Sequence, residues 1–344
     1  MLKGNEKILI VRLTALGDCI HTIPLVCAIK KEFPNIFIGW AVSEKCKTII
    51  ENNPLIDKVH IIPKNNKNEY IKQIKEIREK KYDVAIDSQE LLKSGIISFL
   101  SGATLRFSHD KCRELAHIFS NRKIKGLPLF DCSRHVIERN MDFVRSLGIK
   151  DTDIDFVFPE NNPEDENYVS ELLKNTNKNL KNIVISPSTT WITKFWTTEN
   201  WIKVINELSD KANIIITGSN ADKNYTDILL KFLNSDKIIN LTGKTNILQL
   251  KILFERADIV LTPDSGSAHL ASGVKKPVVI CLFGATSKIR NGAFGSKNIN
   301  LSADLNCQPC YKKICNFESG VPQCMKAIKP DTVIEKVKTI LENE

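Results

Sequence analysis

The sequence predicts an α/β protein built as two similar halves, on three observations. Short apolar, β-rich runs alternate with amphipathic segments along the whole chain, which is the pattern of parallel strands covered by helices on both faces of a sheet. That rhythm occurs twice. A polar stretch interrupted by prolines separates the two occurrences, and 344 residues exceed one ordinary core while fitting two domains of common size.

In the first half the strands are expected at Lys7–Leu13, Ile36–Val42, Lys58–Ile62, Asp83–Asp87 and Thr104–Phe107, with helical stretches between them. In the second half they are expected at Asn182–Ser186, Asn213–Thr217, Ile238–Asn240, Asp258–Thr262 and Pro277–Leu282, separated by helix-like segments such as Asn220–Leu233 and Ile247–Arg256. Phe158–Glu166 reads FPENNPEDE, with two prolines and four acids, and is expected to be a non-helical linker. The domains are therefore 1–157 and 167–329, with the linker at 158–166 and a cysteine-rich loop at 307–324. The end of the chain, 330–344, starts at Pro330 and carries Val333, Val337, Ile340 and Leu341 on one stripe, so it reads as an amphipathic helix that must dock. No repeat of 20–50 residues is apparent, and the duplication is one of architecture.

Hydrophobic content of 42% and charged content of 26% are those of a globular protein, and no run approaches the roughly 20 apolar residues that span a bilayer. Met1–Lys7 lead straight into the first strand without a secretory apolar segment, and a cytoplasmic protein is expected. The net charge of +9 suits an anionic partner. Lysines are spread without a basic arm or a nucleic-acid module, which argues against nucleic acid. The ten cysteines of a long chain without a leader read as reduced thiols.

Three segments have the composition of a site. The first strand runs through Thr14-Ala15-Leu16-Gly17-Asp18 into a helical stretch, which puts Asp18 at a strand's carboxyl end, where open α/β sheets bind ligands. The same Asp, immediately before a helix, reads from spacing alone more readily as an N-cap than as a reacting group. The segment is not G-x-G-x-x-G, so a nicotinamide or flavin cofactor has no support there. In the second half, Ala257–Gly273 ends a buried strand in Pro263-Asp264, turns through Ser265-Gly266-Ser267 and begins a helix near Ala268-His269. Backbone N–H groups at such a terminus suit a diphosphate, with His269 donating to phosphate and Asp264 accepting from a hydroxyl; an ordinary capped turn with a packed histidine is the competing reading. Ser186–Trp196 follows the first strand of that half and offers Ser188, Thr189, Thr190 and Lys194, the last as a cation for a leaving diphosphate.

LTALGDCIHTIP, IDSQELLKS, the run RELAHIFSNRK at Arg113–Lys123, STTWITKFW and TPDSGSAHLASGVKKPVVICLFGATS together resemble the ADP-heptose:lipopolysaccharide heptosyltransferases of glycosyltransferase family 9. The likeness runs from the first strand to the last helix. Trp40-x-Val42, IDSQELLKS and SNRK are most similar to the heptosyltransferase I subgroup, whose acceptor is a Kdo residue of the inner core.

That resemblance implies a GT-B fold, two Rossmann-like domains facing across a cleft with mainly parallel sheets, the acceptor held by the N-terminal domain and the nucleotide sugar by the C-terminal domain. It implies an inverting glycosyltransferase that moves heptose from ADP-heptose to Kdo-lipid A in a single displacement, without metal or cofactor. Asp18 matches the catalytic base. Thr189, Thr190 and Lys194 match diphosphate contacts; Asp264, Ser265, Gly266 and His269 match the loop gripping phosphate and heptose; Asp222 and Thr245 fall at ribose and adenine positions. Lys93, Arg113 and Arg122 lie in segments resembling the acceptor side, where cations suit carboxylates and phosphates. Peripheral contact with the cytoplasmic face of the inner membrane follows from a lipid-anchored acceptor.

Two departures stand out: Glu90 occupies a position where the family usually has glycine, and Ser265 a position more often threonine. Asp151–Asp155, DTDID, lies beside the linker and does not read as a metal-binding D-x-D. Cys307-x2-Cys310-x4-Cys315-x8-Cys324 resembles a cysteine-rich segment of the family and reads first as structural thiols, then as zinc or disulfide. The alternatives to the main reading are heptosyltransferase II or a related transferase with another core acceptor and, from a different class, a non-catalytic nucleotide-sugar-binding scaffold.

Overall fold

The computed structural model describes residues 2–126, 128, 131–235, 237–317 and 322–342. Residues 318–321 of the cysteine-rich segment and 343–344 of the expected last helix lie outside the described residues. The chain divides into two compact units, residues 1–160 and 161–344.

The first unit contains β1 (Lys7–Val11), α1 (Leu16–Glu32), β2 (Phe37–Ser43), β3 (Lys58–Ile62), α2 (Lys67–Glu79), β4 (Val84–Asp87), α3 (Leu92–Leu100), β5 (Leu105–His109), β6 (Arg122–Ile124) and α4 (Val136–Ser146). Its six strands pair in parallel in the order β3-β2-β1-β4-β5-β6. The second unit contains α5 (Pro163–Leu172), β7 (Asn182–Ile185), α6 (Thr198–Leu208), β8 (Asn213–Ile216), α7 (Lys223–Leu230), β9 (Ile239–Asn240), α8 (Ile247–Glu255), β10 (Ile259–Pro263), α9 (Gly266–Val274), β11 (Val278–Phe283), α10 (Lys288–Asn291), β12 (Ile299–Ser302), α11 (Gln323–Lys326) and α12 (Pro330–Glu342). Its order is β12-β11-β10-β7-β8-β9, again all parallel.

Counted from the start of each unit, both sheets read third, second, first, fourth, fifth, sixth, which is the Rossmann order. The chain direction across the sheet reverses between first and fourth strands, so the loops leaving β1 and β4, and those leaving β7 and β10, part to opposite faces and open a crevice.

The central strands are the continuous apolar runs. β4 and β10 are buried at every position and β1 at all but Lys7, as expected of strands covered on both faces. Three edge strands, β6, β9 and β12, hold no buried residue; of these, β6 (Arg-Lys-Ile) and β12 (Ile-Asn-Leu-Ser) carry no apolar run to recognise. The expected non-helical linker also differs in part. Asn162 accepts the N–H of Asp165 at 2.8 Å, Pro163 takes the first helical position and Glu164, Asp165 and Glu166 fill the first turn of α5. Cap, proline and acids are helix-starting signals, so the prolines of this stretch begin a helix as well as interrupt the chain.

α12 docks on the core of the second unit. Val333, Ile334 and Val337 are buried with Trp196, Trp201 and Met325, each aliphatic side chain contributing on the order of 1.5–3 kcal/mol, and Trp196 Nε1 donates to the carbonyl of Ile328 at 3.1 Å. Among the described residues no helix is long and apolar enough to cross a membrane.

Candidate active site

In the first unit the crevice lies between the loops after β1 and β4. Asp18 is the third residue of α1, one turn inside the helix and not ahead of it. Ala15, at the N-cap, has no side chain to satisfy the helix start; the Asp18 carboxylate reaches back and accepts the Ala15 N–H at 3.1 Å. Its other oxygen lies 3.2 Å from the Arg12 guanidinium. The Asp18 side chain is still 43% exposed, so one carboxylate both closes the helix start and stays open to solvent.

Two residues absent from the sequence-based candidates shape this corner: Arg12 pairs with the Asp18 carboxylate, and Gln89 fixes the loop that leads to it. Arg12 is 7% exposed and also donates to the carbonyl of Ser88 in the β4 loop. Gln89 accepts the N–H groups of Leu13 and Thr14 at 2.8 and 3.1 Å. The two loops are therefore laced together from both directions. Arg12 had a signal: it is a charge inside the apolar sequence run Ile8–Leu13, where a buried ion is found only with partners. Asp87 ends β4 and accepts the N–H groups of Gln89 and Glu90. Burial pushes its carboxyl up to about 7 against those donors.

Glu90 has φ +61, the left-handed region that favours glycine, which gives a physical reason for the glycine the resemblance leads one to expect. Here a buried ion network holds the non-glycine residue. Its carboxylate bonds His109 Nδ1 and takes Arg139 at 3.1 and 2.8 Å, while His109 Nε2 lies 3.6 Å from Asp142, itself paired with Arg134. Burial alone would lower His109 and raise Glu90. The bonds outweigh it in both cases, raising His109 and holding Glu90 below the usual carboxylate range.

The cationic candidates lie further along this unit. Lys93, in the first turn of α3, is exposed and has its Nζ over the Tyr70 ring at 5.6 Å; burial of its stem and nearby Lys64 lower its pKa. Arg113 opens a short 3-10 segment, Arg113–Phe119, and Arg122 begins β6, both exposed.

In the second unit the loops after β7 and β10 converge on Asp264. Lys194 Nζ lies 2.7 Å from its Oδ2, Thr286 Oγ1 donates to the same oxygen at 2.6 Å, and His269 Nε2 lies 3.5 Å from Oδ1. Thr189 Oγ1 donates to the Asp264 carbonyl at 3.3 Å. Burial would raise the Asp264 carboxyl, but His269 and Lys194 outweigh it and hold it well below the usual range. Asp264 is only 2% exposed, and its place is that of an organiser which fixes Lys194 and His269. Thr286 is not among the sequence-based candidates, although it lies in the motif CLFGATS. Lys194 spends two bonds on Asp264 and has a third donor to offer; its Nζ sits over the Trp191 ring at 4.7 Å, with Lys313 over the same ring at 5.6 Å.

α9 starts at Gly266, two residues earlier than expected, so Gly266 and Ser267 are its first turn and His269 is a buried helical residue. Ser265 makes no side-chain cap bond; its hydroxyl meets Thr262 Oγ1 at 3.1 Å. First-turn amides at a helix terminus without such a cap favour an anion. Thr190 is exposed in the β7 loop. Asp222 caps the turn after β8, taking the N–H and hydroxyl of Ser219 at 2.7 and 2.6 Å, and Thr245 precedes Asn246, the N-cap of α8. Hence Thr189, Lys194, Asp264 and His269 are joined by direct contacts, whereas Asp222 and Thr245 lie on the next loops along the same sheet edge.

Cys307, Cys310, Cys315 and Cys324 are free thiols, and among the described residues no group of three or more His, Cys, Asp or Glu is arranged to hold a metal.

The family model for glycosyltransferase family 9 (heptosyltransferase) matches residues 70–320. Lipopolysaccharide heptosyltransferase 1 of Campylobacter coli is 29% identical, covering 98% of this chain and 100% of its own; the enzyme of the same name from Pseudomonas aeruginosa is 26% identical over 97% and 98%. Among solved structures, a family 9 glycosyl transferase from Veillonella parvula superposes with a TM-score of 0.84 at 19% identity, over 100% of this chain and 99% of that one. E. coli heptosyltransferase WaaC with ADP superposes with 0.72 at 21%, over 97% and 99%. The two Rossmann-like units are thus those of the GT-B fold, and this chain, a glycosyltransferase, belongs to family 9, the heptosyltransferase family.

Proposed function

We propose that this protein transfers heptose from ADP-heptose to a Kdo residue of the lipopolysaccharide inner core, with inversion. The observation that carries the reading is the pair of switch-point loop sets: one presents the accessible Asp18 carboxylate held by Arg12, the other a lysine held at 2.7 Å by a buried aspartate beside the start of α9. Asp18 takes the proton of the acceptor hydroxyl as its oxygen attacks the anomeric carbon. The bond to the diphosphate breaks in the same step, and ADP leaves with its charge met by Lys194, His269 and the first-turn amides of α9. Thr189, Thr190, Ser265 and Gly266 line the diphosphate, with Asp222 and Thr245 toward ribose and adenine. Lys93, Arg113 and Arg122 face the acceptor's acids, and the protein works at the cytoplasmic face of the inner membrane.

Support for the donor comes from the relative solved with ADP, and for the acceptor from relatives named heptosyltransferase 1. The test is a matrix of nucleotide sugars against core acceptors with products identified by mass. Heptosylated Kdo-lipid A and free ADP are expected. Product formed only on an already heptosylated core would move the protein to another acceptor, and donor binding without product on any acceptor would make it a scaffold.

A further inference from the structure

We propose that α3 and the segment Arg113–Phe119 together form a ridge that inserts into an anionic lipid bilayer. Leu92 and Phe99 of α3 are 43% and 52% exposed, and Leu115 and Ile118 of the neighbouring segment 64% and 60%. The two segments that carry these side chains pack directly against each other. The Leu92 N–H donates to the Glu114 carboxylate at 3.2 Å at one end, and the rings of Phe99 and Phe119 lie 6.0 Å apart at the other. Between them the two segments touch at Gly95, where a Cβ would fall 2.9 Å from the carbonyl oxygen of Ala116 and from the Phe119 ring.

The backbone is strained where Leu115 is displayed. Glu114 and Leu115 have φ +52 and +57, the left-handed region that is unfavourable for residues with side chains. A leucine held outward in that conformation, beside three further exposed apolar side chains, is an arrangement that neither core packing nor solubility calls for.

Charge selects the occupant. Between Leu91 and Gly126 the acids are Asp110 and Glu114, against seven lysines and arginines, and Lys93, Arg113 and Arg122 are exposed beside the apolar row. Apolar side chains that enter the acyl boundary while cations meet headgroup phosphates are the chemistry of an interfacial membrane contact. A second copy of the chain would bring the same cations face to face. The inference deepens the proposed function by giving the protein a way to reach a lipid-anchored acceptor, and the binding itself needs no acceptor.

The test is co-sedimentation with phosphatidylglycerol-rich vesicles and with phosphatidylcholine vesicles, neither containing lipopolysaccharide. The protein is expected to bind the first and not the second, less at high salt. A triple variant, Phe99→Ser, Leu115→Ser and Ile118→Ser, should lose at least about tenfold in partitioning, with unchanged circular dichroism and unchanged transfer to a delipidated acceptor. Leu115→Trp should shift its emission to the blue only with anionic vesicles. Undiminished partitioning of the triple variant, absence of binding at low salt, or conversion of a dimer to a monomer by the three substitutions would overturn the proposal. Failure of heptose transfer with vesicle binding intact would overturn the proposed function instead.

Discussion

Lys194 and Asp264 meet at 2.7 Å with side chains 13% and 3% exposed, and their contact ties the loop leaving β7 to the loop leaving β10. Removing the cation leaves a buried carboxylate that faces, among the described residues, His269 and Thr286. Lys194→Met is expected to cost about 3 kcal/mol, a fall of roughly 6–12 °C in the melting of the second unit, and to raise the KM for ADP-heptose at least about tenfold. Calorimetry and donor titration check both; unchanged stability would mean that the pair does not organise the loop.

Glu90 separates two effects that are usually mixed. Glu90→Ala and Glu90→Gly both remove the carboxylate that satisfies Arg139 and His109, but glycine accepts φ +61 without strain. Both variants should be destabilised by about 3 kcal/mol or more, with Glu90→Gly the more stable of the two by about 1 kcal/mol. Equal denaturation midpoints would show that the backbone conformation carries no strain.

His109 makes the first unit pH-sensitive in a defined direction. Its pKa is raised in the folded protein, so its contribution is full below the unfolded value of about 6.5 and is lost as pH rises through the folded value. Glu90 and Asp142 are lowered, so theirs is present above about pH 4 and lost as pH falls through their folded values. His60, lowered to about 4 by burial, and Asp87, raised to about 7, also titrate in this range, so the comparison must isolate the residue. The stability difference between the wild type and His109→Gln should be largest near pH 5–6 and shrink toward pH 9; a difference that grows with pH would contradict the assignment.

Much of this site was legible in the sequence because its chemistry sits where an α/β chain must turn. Asp18, Lys194 and Asp264 follow apolar runs, and any parallel strand ends at such a loop. What stayed hidden depends on pairing across the sheet. Gln89 matters because β4 lies beside β1, which brings its side chain to the N–H groups of Leu13 and Thr14. Thr286 matters because β11 lies beside β10. Asp18 reads in the sequence as either an N-cap or a reacting group; the N-cap position is Ala15, and the Asp18 carboxylate reaches back to the Ala15 N–H from inside the helix while staying open to solvent.

The most direct test of the account is Asp18→Asn, measured for donor binding and for turnover with the same preparation. The variant keeps an oxygen for the Ala15 N–H and loses the charge facing Arg12. The expected result is ADP-heptose affinity within about threefold of wild type and turnover slowed by about 10²-fold or more. Turnover near the wild-type rate would show that another group takes the acceptor's proton and would contradict the central claim.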